Sequence, residues 1–390
     1  MSGRDAKWWY LLVNGETSGA ASLQERASAV IRLIQVIVLG FLLVGWASND
    51  LVSEEGNATG SVSAHTRASA DLEEVIVFTA NQGFMSRIYL LRMDGSVITY
   101  FQYDPYRFVD LEVVDNEVYA SEAFAPRVLK VDLHTGDLDV IVDDWSLYYF
   151  YGLAFDGTYW YLDEWDLNKY EFDGTKVGVA SFDEEVMGSA WDGEYLWTLN
   201  DDENRVKCWS VSSWPLMVEV PGKGFSPPSG ACRGLWFDGE YFWTAESIED
   251  TLGQIYRFDY DGTIVDRWLA PAFRGWGAGV VRTAPFRLSV DFANLSWTEA
   301  IGAYAYDVVK GDLRTLRRNS GDFSVSVDEC LEENVEATST SHGENPPVGG
   351  GFWYLVRGVS AALNLTYDSG GPSQVCPRDD AIDADIDSCM

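Results

Sequence analysis

The sequence has little positive charge. Its 27 Lys and Arg residues stand against 61 Asp and Glu, which gives a formal net charge of −34, and only 7 of the basic residues are lysines. Nucleic-acid-binding surfaces need clustered basic residues to neutralise phosphates, and anionic membrane surfaces attract basic segments. The charge balance therefore argues against both partners, and the acidic, lysine-poor composition fits a salty or extracytoplasmic setting.

Histidine is also scarce, and the few cysteines are not spaced for metal binding. The three histidines are scattered at His65, His134 and His342, so no histidine cluster for a metal or a catalytic triad is expected. None of the five cysteines forms a CxxC pair, which argues against zinc. The odd count leaves at least one thiol unpaired or paired between chains. Two disulfides, whose connectivity a sequence does not decide, are candidates: Cys330–Cys376 and Cys208–Cys232.

An apolar segment lies near the amino terminus. Residues 27–48 contain an uninterrupted apolar run from Val36 to Trp46, with Arg32 close to its start. Two interpretations stand for this segment: a signal peptide, with 1–26 resulting from a start codon placed too early, or an uncleaved signal anchor with 1–26 in the cytoplasm. Both predict an extracytoplasmic chain beyond it, and the positive-inside rule agrees. The polar stretch 49–74 is expected to be a flexible linker.

One string recurs three times in the middle of the chain. It reads GLAFDGTYWYLDE at 152–164, GSAWDGEYLWTLN at 188–200 and GLWFDGEYFWTAE at 234–246. Asp-Gly between two apolar runs is typical of a tight β-hairpin, and a second hairpin turn follows each first one. Four short antiparallel strands in a unit of this length predict one blade of a β-propeller.

The spacing of the repeats predicts the ring. The positions that open a unit fall at Leu111, Gly152, Gly188, Gly234 and Gly275. No strand of the first type precedes Val75–Phe78, so we expect residues 275–282 to supply the inner strand of the first unit and to close five blades over residues 75–283. The fourth unit lacks a clear second turn and offers Ser212-Ser213. Three tryptophans, Trp160, Trp197 and Trp243, are predicted to pack between blades rather than to form an aromatic cofactor cage.

These strings resemble the G-x-x-F/W-D-G-x-Y-x-W pattern of glutaminyl-cyclotransferase-like and related propellers with five to seven blades. The resemblance covers about residues 75–282 and implies the architecture. It carries over no catalytic residue, because propellers of this kind host many functions.

The pattern changes after residue 283. Alternation at Leu295–Trp297 and Tyr304–Val308, and later at 352–361, predicts strands with one buried face. The run from 284 to 378 resembles a fibronectin type III-like module of bacterial secreted proteins, with Tyr354 at a tyrosine-corner position. That resemblance implies an interaction or spacer domain. The acidic residues 379–390 are expected to form a solvated tail, because they lack the glycine and terminal glutamate of an EF-hand.

Acidic and amide residues recur on one predicted rim of the propeller. The loops from second to third strands carry Glu122, Asp163, Glu164, Asn200, Asp201 and Glu246, and a set of aromatic and basic residues would lie near them: Tyr149, Phe150, Tyr151, Arg233 and Arg274. Converging carboxylates could hold Ca²⁺, bind a cationic ligand, or act as acid and base. The plainer interpretation is a solvated acidic surface. No cofactor is predicted, and Ca²⁺ at this rim is the one candidate metal.

Together, these features predict an all-β chain with a propeller, a sandwich and an N-terminal hydrophobic helix. The function we expect is binding, by a cell-surface or secreted protein whose propeller is the recognition surface for an extracytoplasmic protein or a small ligand. Two alternatives remain: an extracytoplasmic cyclotransferase, lyase or hydrolase that uses the rim carboxylates, and a purely structural surface module.

Overall fold

The computed structural model describes residues 72–389, apart from residues 84, 147–148, 164, 182–183, 292, 343, 363–364, 369–373 and 375–376. The apolar segment 27–48, the linker up to residue 71, Glu164 and Cys376 lie outside the described residues. Within the described part of the chain, no helix is both long and apolar enough to cross a membrane.

Five four-stranded antiparallel sheets occupy residues 73–283 of the described chain. From the inner to the outer strand they are sheet 1, β20 (Gly275–Thr283), β1 (Glu73–Gln82), β2 (Met85–Arg92) and β3 (Val97–Tyr103); sheet 2, β4 (Phe108–Val114), β5 (Glu117–Glu122), β6 (Arg127–Val131) and β7 (Leu138–Asp143); sheet 3, β8 (Gly152–Phe155), β9 (Tyr159–Asp163), β10 (Asp166–Glu171) and β11 (Lys176–Ser181); sheet 4, β12 (Val186–Trp191), β13 (Leu196–Asn200), β14 (Arg205–Ser213) and β15 (Leu216–Glu219); and sheet 5, β16 (Cys232–Phe237), β17 (Phe242–Glu246), β18 (Gln254–Phe258) and β19 (Ile264–Leu269).

The last strand of this region closes the first sheet. β20 pairs antiparallel with β1, from Glu73 opposite Thr283 to Ala80 opposite Gly275. The inner strands β4, β8, β12, β16 and β20 also contact one another in this order, and β20 contacts β4. The arrangement is that of a β-propeller, and the prediction that residues 275–282 complete the first sheet is confirmed.

The Asp-Gly turns of the repeat are organised by the aspartate side chain. In sheet 5, Asp238 Oδ1 accepts the backbone N–H groups of Glu240 and Tyr241 at 2.8 and 2.7 Å, while its Oδ2 accepts the indole N–H of Trp243 at 2.8 Å. Asp192 makes the same three contacts in sheet 4. The recurring aspartate and tryptophan are therefore one hydrogen-bonded unit.

Two details of the predicted turns are wrong. The connection from Phe237 to Phe242 is longer than a two-residue hairpin turn, because the aspartate side chain replaces a backbone partner. The second hairpin of sheet 4 turns at Trp214-Pro215, since Ser212-Ser213 still belongs to β14.

The three repeat tryptophans are packing residues, as predicted. Trp160 lies 4.9 Å from the ring of Tyr119 in sheet 2, and Trp197 lies 5.1 Å from the ring of Phe242 in sheet 5. All three are almost fully buried. Aromatic contacts between neighbouring sheets bury the faces that a single sheet would expose.

A second region of two three-stranded sheets follows. One sheet has the order β21 (Leu288–Val290), β22 (Asn294–Trp297) and β25 (Ser339–Ser341), and the other has the order β24 (Val327–Val335), β23 (Ala305–Asp312) and β26 (Phe352–Val359). Residues of both sheets, including Leu295, Trp297, Val308 and Val356, form one hydrophobic core. The long polar connection after β23 contains a short helix, α1 (Leu313–Arg318), and a single 3₁₀ turn.

The acidic carboxy-terminal segment is not a solvated tail. It forms the short helix α2 (Asp379–Asp383), whose Ile382 is completely buried. Asp383 pairs with Arg357 at 3.0 Å, and Cys389 forms a disulfide with Cys330. The expected solvation was wrong because an apolar residue and a cysteine interrupt the acidic run and bind it to the domain.

The disulfide pairing also differs from both candidates. Cys330 is bonded to Cys389 and not to Cys376. Cys208 and Cys232 are free thiols, both buried within the same hydrophobic cluster of sheets 4 and 5. Burial raises the pKa of each of these two thiols to about 12, so both stay protonated.

The second region packs directly on the propeller. Gly302 donates its N–H to the carbonyl oxygen of Leu133 at 2.8 Å, and the hydroxyls of Thr99 in β3 and Ser360 lie 2.8 Å apart in a buried position. Ile301 joins the hydrophobic cluster of sheets 1 and 2. The connection between the two regions is therefore a packed junction.

Candidate functional site

A single carboxylate lies at the centre of the propeller. Asp110 is completely buried, and its Oδ1 accepts the N–H groups of Leu111 and Leu235 at 2.9 and 3.2 Å. Its Oδ2 accepts the N–H groups of Leu153 and Ser189, both at 3.1 Å. These donors belong to β4, β8, β12 and β16, so the carboxylate must lie between the inner strands of four sheets. Burial raises the pKa of Asp110, and the four N–H donors oppose that rise.

Glycines permit this close approach. The residues before the four N–H donors are Asp110 itself, Gly152, Gly188 and Gly234. A Cβ on Gly188 would lie 2.4 Å from the carbonyl carbon of Gly234, and a Cβ on Gly234 would lie 2.8 Å from Asp110 Oδ1. The opening position in sheet 2 is therefore Asp110 rather than Leu111: one aspartate stands where three repeats have glycine.

The fifth sheet around the centre contributes a tryptophan. In β20 the N–H of Gly277 is bonded to Thr79 Oγ1 at 2.9 Å, which makes Trp276 the counterpart of the other opening residues. Trp276 is buried and stacks on Tyr151 at 6.3 Å, in a cluster that also contains Val109 and Met187. Each of these residues comes from, or directly precedes, a different inner strand. Apolar side chains thus seal the channel next to Asp110.

The predicted acidic rim consists largely of buried strand ends. Glu122, Asp163, Asn200 and Glu246 are the last residues of β5, β9, β13 and β17, and all four are buried. The equivalent residue of sheet 1 is Asn81, near the end of β1, which donates to the carbonyl oxygen of Phe108 at 2.7 Å. The sequence signal for Asn81 is its context, since Thr79-Ala80-Asn81 matches Thr244-Ala245-Glu246.

Asp163 is the most deeply buried of these carboxyl groups. Its Oδ2 accepts a hydrogen bond from the Ser189 hydroxyl, while its Oδ1 is buried without a partner among the described residues. A Cβ on Gly152 would lie 2.4 Å from Asp163 Oδ2. Burial raises the pKa of Asp163 to about 8, because no cation offsets the cost of the charge.

Glu122 and Glu112 also have raised pKa values. Burial raises the pKa of Glu122 to about 7, against the opposing effect of Arg127, whose guanidinium lies 3.7 Å away. Burial, and then the negative charge of Asp110, raise the pKa of Glu112 well above its ordinary value. Glu112 Oε2 is buried and has no hydrogen-bond partner among the described residues.

The other predicted rim residues are engaged within the protein. Glu246 accepts the N–H of Gln254 at 2.9 Å and the hydroxyl of Tyr256 at 3.1 Å. Asn200 donates to Glu184 at 2.6 Å, and Glu184 also pairs with Lys207.

The two predicted rim arginines form ion pairs rather than line a pocket. Arg233 pairs with Asp201 at 2.9 Å, and Arg274 pairs with Glu249 at 2.9 Å. Across the described residues, no group of three potential ligands is arranged to hold a metal ion. The expectation of a converging rim that could bind Ca²⁺ therefore finds no support in this geometry.

Exposed aromatic residues mark the same rim. By the topology of the sheets, the loops between second and third strands, and the loops between successive sheets, all lie on one edge, which we call the upper rim. Large apolar side chains with at least 40% of their surface exposed project from its loops: Phe124, Trp145, Tyr149, Trp165, Leu252 and Phe273. Sequence reasoning identified only Tyr149 among them, because a single exposed aromatic residue in a loop carries no periodic signal.

A cavity lies elsewhere, between sheets 4 and 5. It has a volume of about 410 Å³ and is lined by Trp197, Gly222, Lys223, Gly224, Phe225, Tyr260 and Asp261. None of the predicted rim residues lines it.

Comparisons with known proteins give only distant similarities. No family model matches the chain, and no curated protein sequence shows significant similarity to it. Among solved structures, a chain in the crystal structure of a nidogen/laminin complex has 12% identity and a TM-score of 0.36 over 53% of this chain and 98% of that one. Glutaminyl cyclase of Myxococcus xanthus has 13% identity and a TM-score of 0.35 over 42% and 70%. A protein of unknown function from Bacteroides caccae has 7% identity and a TM-score of 0.39 over 54% and 100%. These similarities carry no argument about the chemistry of this chain.

Proposed function

We propose that this chain is a non-enzymatic extracytoplasmic binding protein whose propeller presents its upper rim to a macromolecular partner. One observation carries the proposal. Asp110 and Trp276 fill the centre of the ring, while Trp145 and Trp165 stand on the upper rim with 65% and 66% of their surface exposed. A filled channel favours recognition on the surface over binding of a small ligand along the axis, and exposed aromatic patches mark interaction sites.

The proposed architecture is a five-bladed propeller followed by a fibronectin type III-like spacer. Five four-stranded sheets with successive contacts between their inner strands support the blade count. Two three-stranded sheets around one core support the spacer. The buried Thr99–Ser360 contact would hold the spacer at a fixed angle to the propeller.

The extracytoplasmic location is supported by the disulfide between Cys330 and Cys389, because such bonds persist in oxidising compartments. Segment 27–48 would act as a signal anchor or as a cleaved signal peptide. A reporter enzyme that is active only after export, fused after residue 70, tests the location. Activity that depends on residues 27–48 supports the proposal, and an inactive fusion present at normal levels contradicts it.

An enzyme is the second candidate, because raised carboxyl pKa values are common at catalytic sites. The pKa values of Asp163 and Glu122, about 8 and 7, favour it. Against it, Asp163 has no exposed surface and its Oδ2 is bonded to Ser189. Turnover in a panel of cyclotransferase, lyase and hydrolase substrates that Asp163→Asn and Glu122→Gln abolish would establish the enzyme and end the binding proposal.

The binding proposal is tested by cross-linking in cells of the source organism. A photoreactive amino acid placed at position 145 or 165 should give a discrete adduct with a second macromolecule. The matched control is position 216 in β15, where Leu216 has the same 65% exposure away from the rim. Adducts at all three positions in equal yield, or at none, would contradict recognition by the upper rim.

A further inference from the structure

We infer that the upper rim binds a polypeptide whose contacting face combines basic and apolar side chains, through the aromatic patch formed by Phe124, Trp145, Tyr149 and Trp165. This inference rests on the proposed function and names the chemistry of the partner.

The patch is built around a continuous line of π systems that crosses the channel mouth. The Arg107 guanidinium lies 5.3 Å from the ring centre of Phe124 and 5.5 Å from that of Trp276. Trp276 stacks on Tyr151 at 6.3 Å, and Tyr151 stacks on Tyr149 at 6.1 Å. The two ends of the line, Phe124 and Tyr149, are exposed, and its middle is buried. A partner therefore meets a surface whose side chains are already held in place, which lowers the entropy cost of binding.

The stacking favours a polypeptide over a carbohydrate. Tyr149, Tyr151 and Trp276 are nearly parallel, with interplanar angles of 24° and 20°, so their ring faces are partly taken up by one another. A sugar that stacks on aromatic rings needs free faces. Edges and hydroxyls of aromatic residues, mixed with arginine, are instead the typical composition at the centre of protein–protein interfaces.

The charge of the rim favours a basic partner. Four described rim arginines are already paired with carboxylates: Arg127 with Asp143, Arg205 with Glu219, Arg233 with Asp201, and Arg274 with Glu249. In contrast, four exposed rim carboxylates form no ion pair with any described residue: Asp104, Asp166, Asp202 and Asp250. Unpaired negative charge around an aromatic patch attracts Lys and Arg side chains by charge, and the ring faces of Trp145 and Trp165 bind them by cation–π contact.

The guanidinium on Trp145 leaves this patch well defined for a test. Arg127 lies 5.1 Å from the ring centre of Trp145 on one side, and 65% of the tryptophan surface stays exposed. Truncating Trp145 and Trp165 together should therefore remove contact area from the patch without opening a core. Leu216→Ala removes an equally exposed apolar side chain from an outer strand and serves as the matched control.

The experiment is selection of a phage-displayed library of random linear peptides on the immobilised chain from residue 70 to its end. We expect selected peptides to be enriched in Lys and Arg next to apolar residues. Their dissociation constants should rise about tenfold with Trp145→Ala/Trp165→Ala and change little with Leu216→Ala. The charge variant Asp166→Lys/Asp202→Lys should weaken them most at low salt, because added salt screens this contribution.

The outcomes separate this inference from the proposed function. Peptides that depend on Trp145 and Trp165 but are neutral or acidic would overturn the basic partner and keep the rim as the recognition surface. Peptides that bind wild type and the double tryptophan variant equally would overturn both. Rim-dependent binding in a glycan array, with no rim-dependent peptide, would overturn the polypeptide partner in favour of a carbohydrate.

Discussion

The carboxylate of Asp110 accepts a hydrogen bond from the backbone N–H of Leu235, a residue 125 positions later in the chain, at 3.2 Å. The same carboxylate accepts bonds from Leu153 and Ser189. Inner strands at the centre of a propeller have one edge without a strand partner, and their N–H groups there need acceptors. One side chain thus satisfies N–H groups from four sheets and joins segments that are distant in sequence.

We predict that removing this acceptor destabilises the whole propeller. Asp110→Ala leaves four buried N–H groups without a partner, so the free energy of unfolding should fall by about 3 kcal/mol or more. Asp110→Asn should also destabilise the protein, because its amide nitrogen donates and faces two N–H donors. Urea unfolding measures both effects. The matched control is Asp94→Asn at an exposed turn, for which little change is expected. Wild-type stability in Asp110→Asn would show that shape, and not hydrogen bonding, holds the centre.

The glycine at the opening position of the repeat gives a second prediction. A Cβ on Gly188 would lie 2.4 and 2.5 Å from backbone atoms of Gly234 and Leu235, so Gly188→Ala must push two inner strands apart. Overpacking of this kind costs about 3 kcal/mol. Gly193 is the matched control, since it has a φ of +99° and open space around its Cβ position. Gly193→Ala should cost only the strain of the left-handed backbone, about 1–2 kcal/mol.

Thermal and urea unfolding of the two alanine variants decides between these causes. Equal losses would mean that the close approach at Gly188 is relieved by small shifts, and that backbone conformation alone explains the repeated glycines. Failure of Gly188→Ala to fold under conditions in which Gly193→Ala folds would support the steric explanation as strongly as a measured difference.

Much of the fold could be predicted from the sequence, because the repeat carries two local signals. Asp-Gly turns locate the hairpins, and the missing first strand before Val75 predicts closure by residues 275–282, which the pairing of β20 with β1 confirms. The central carboxylate was missed. Asp110 stands at the position of Gly152, Gly188 and Gly234, so a gap-free alignment of the repeats would have shown it as the one charged residue in a column of glycines.

The predicted site was located correctly and its nature was not. Glu122, Asp163, Asn200 and Glu246 do share one register position, as the repeat implies. Their burial could not be predicted, because it depends on how far neighbouring inner strands approach one another. The exposed Trp145 and Trp165 were missed for the opposite reason: they lie in loops, where exposure is set by the surrounding fold and not by periodicity.

The raised pKa of Asp163 gives a prediction about pH. In the unfolded chain an aspartate ionises near pH 4, whereas folded Asp163 keeps its proton up to about pH 8. Between these values the folded state binds one proton more than the unfolded state. The contribution of Asp163 to the free energy of unfolding therefore falls by about 1.4 kcal/mol per pH unit as pH rises, and it levels off above pH 8.

Asp163→Asn isolates this effect. The asparagine oxygen can still accept the hydrogen bond from Ser189, but the side chain has no proton to lose. We expect the variant to gain stability relative to wild type steadily from pH 5 to pH 7, measured by urea unfolding at each pH. Asp94→Asn is the control, because the pKa of the Asp94 carboxylate is lowered by its hydrogen bonds to Ser96 and it is ionised in both states over this range. A difference between Asp163→Asn and wild type that does not change with pH would show that Asp163 is ionised in the folded protein.

The disulfide between Cys330 and Cys389 gives the last prediction. It closes a loop with a sequence separation of 59 and holds the segment that buries Ile382. On chain-entropy grounds, Cys389→Ser should lower the free energy of unfolding of the second region by about 4 kcal/mol. Peptide mapping without reduction should recover the Cys330–Cys389 pair, and recovery of a Cys330–Cys376 pair would contradict the structure. Cys208 and Cys232 serve as internal controls: buried and protonated, they should react with maleimide only after unfolding. Rapid labelling of either thiol in the folded protein would mean that the cluster between sheets 4 and 5 opens readily.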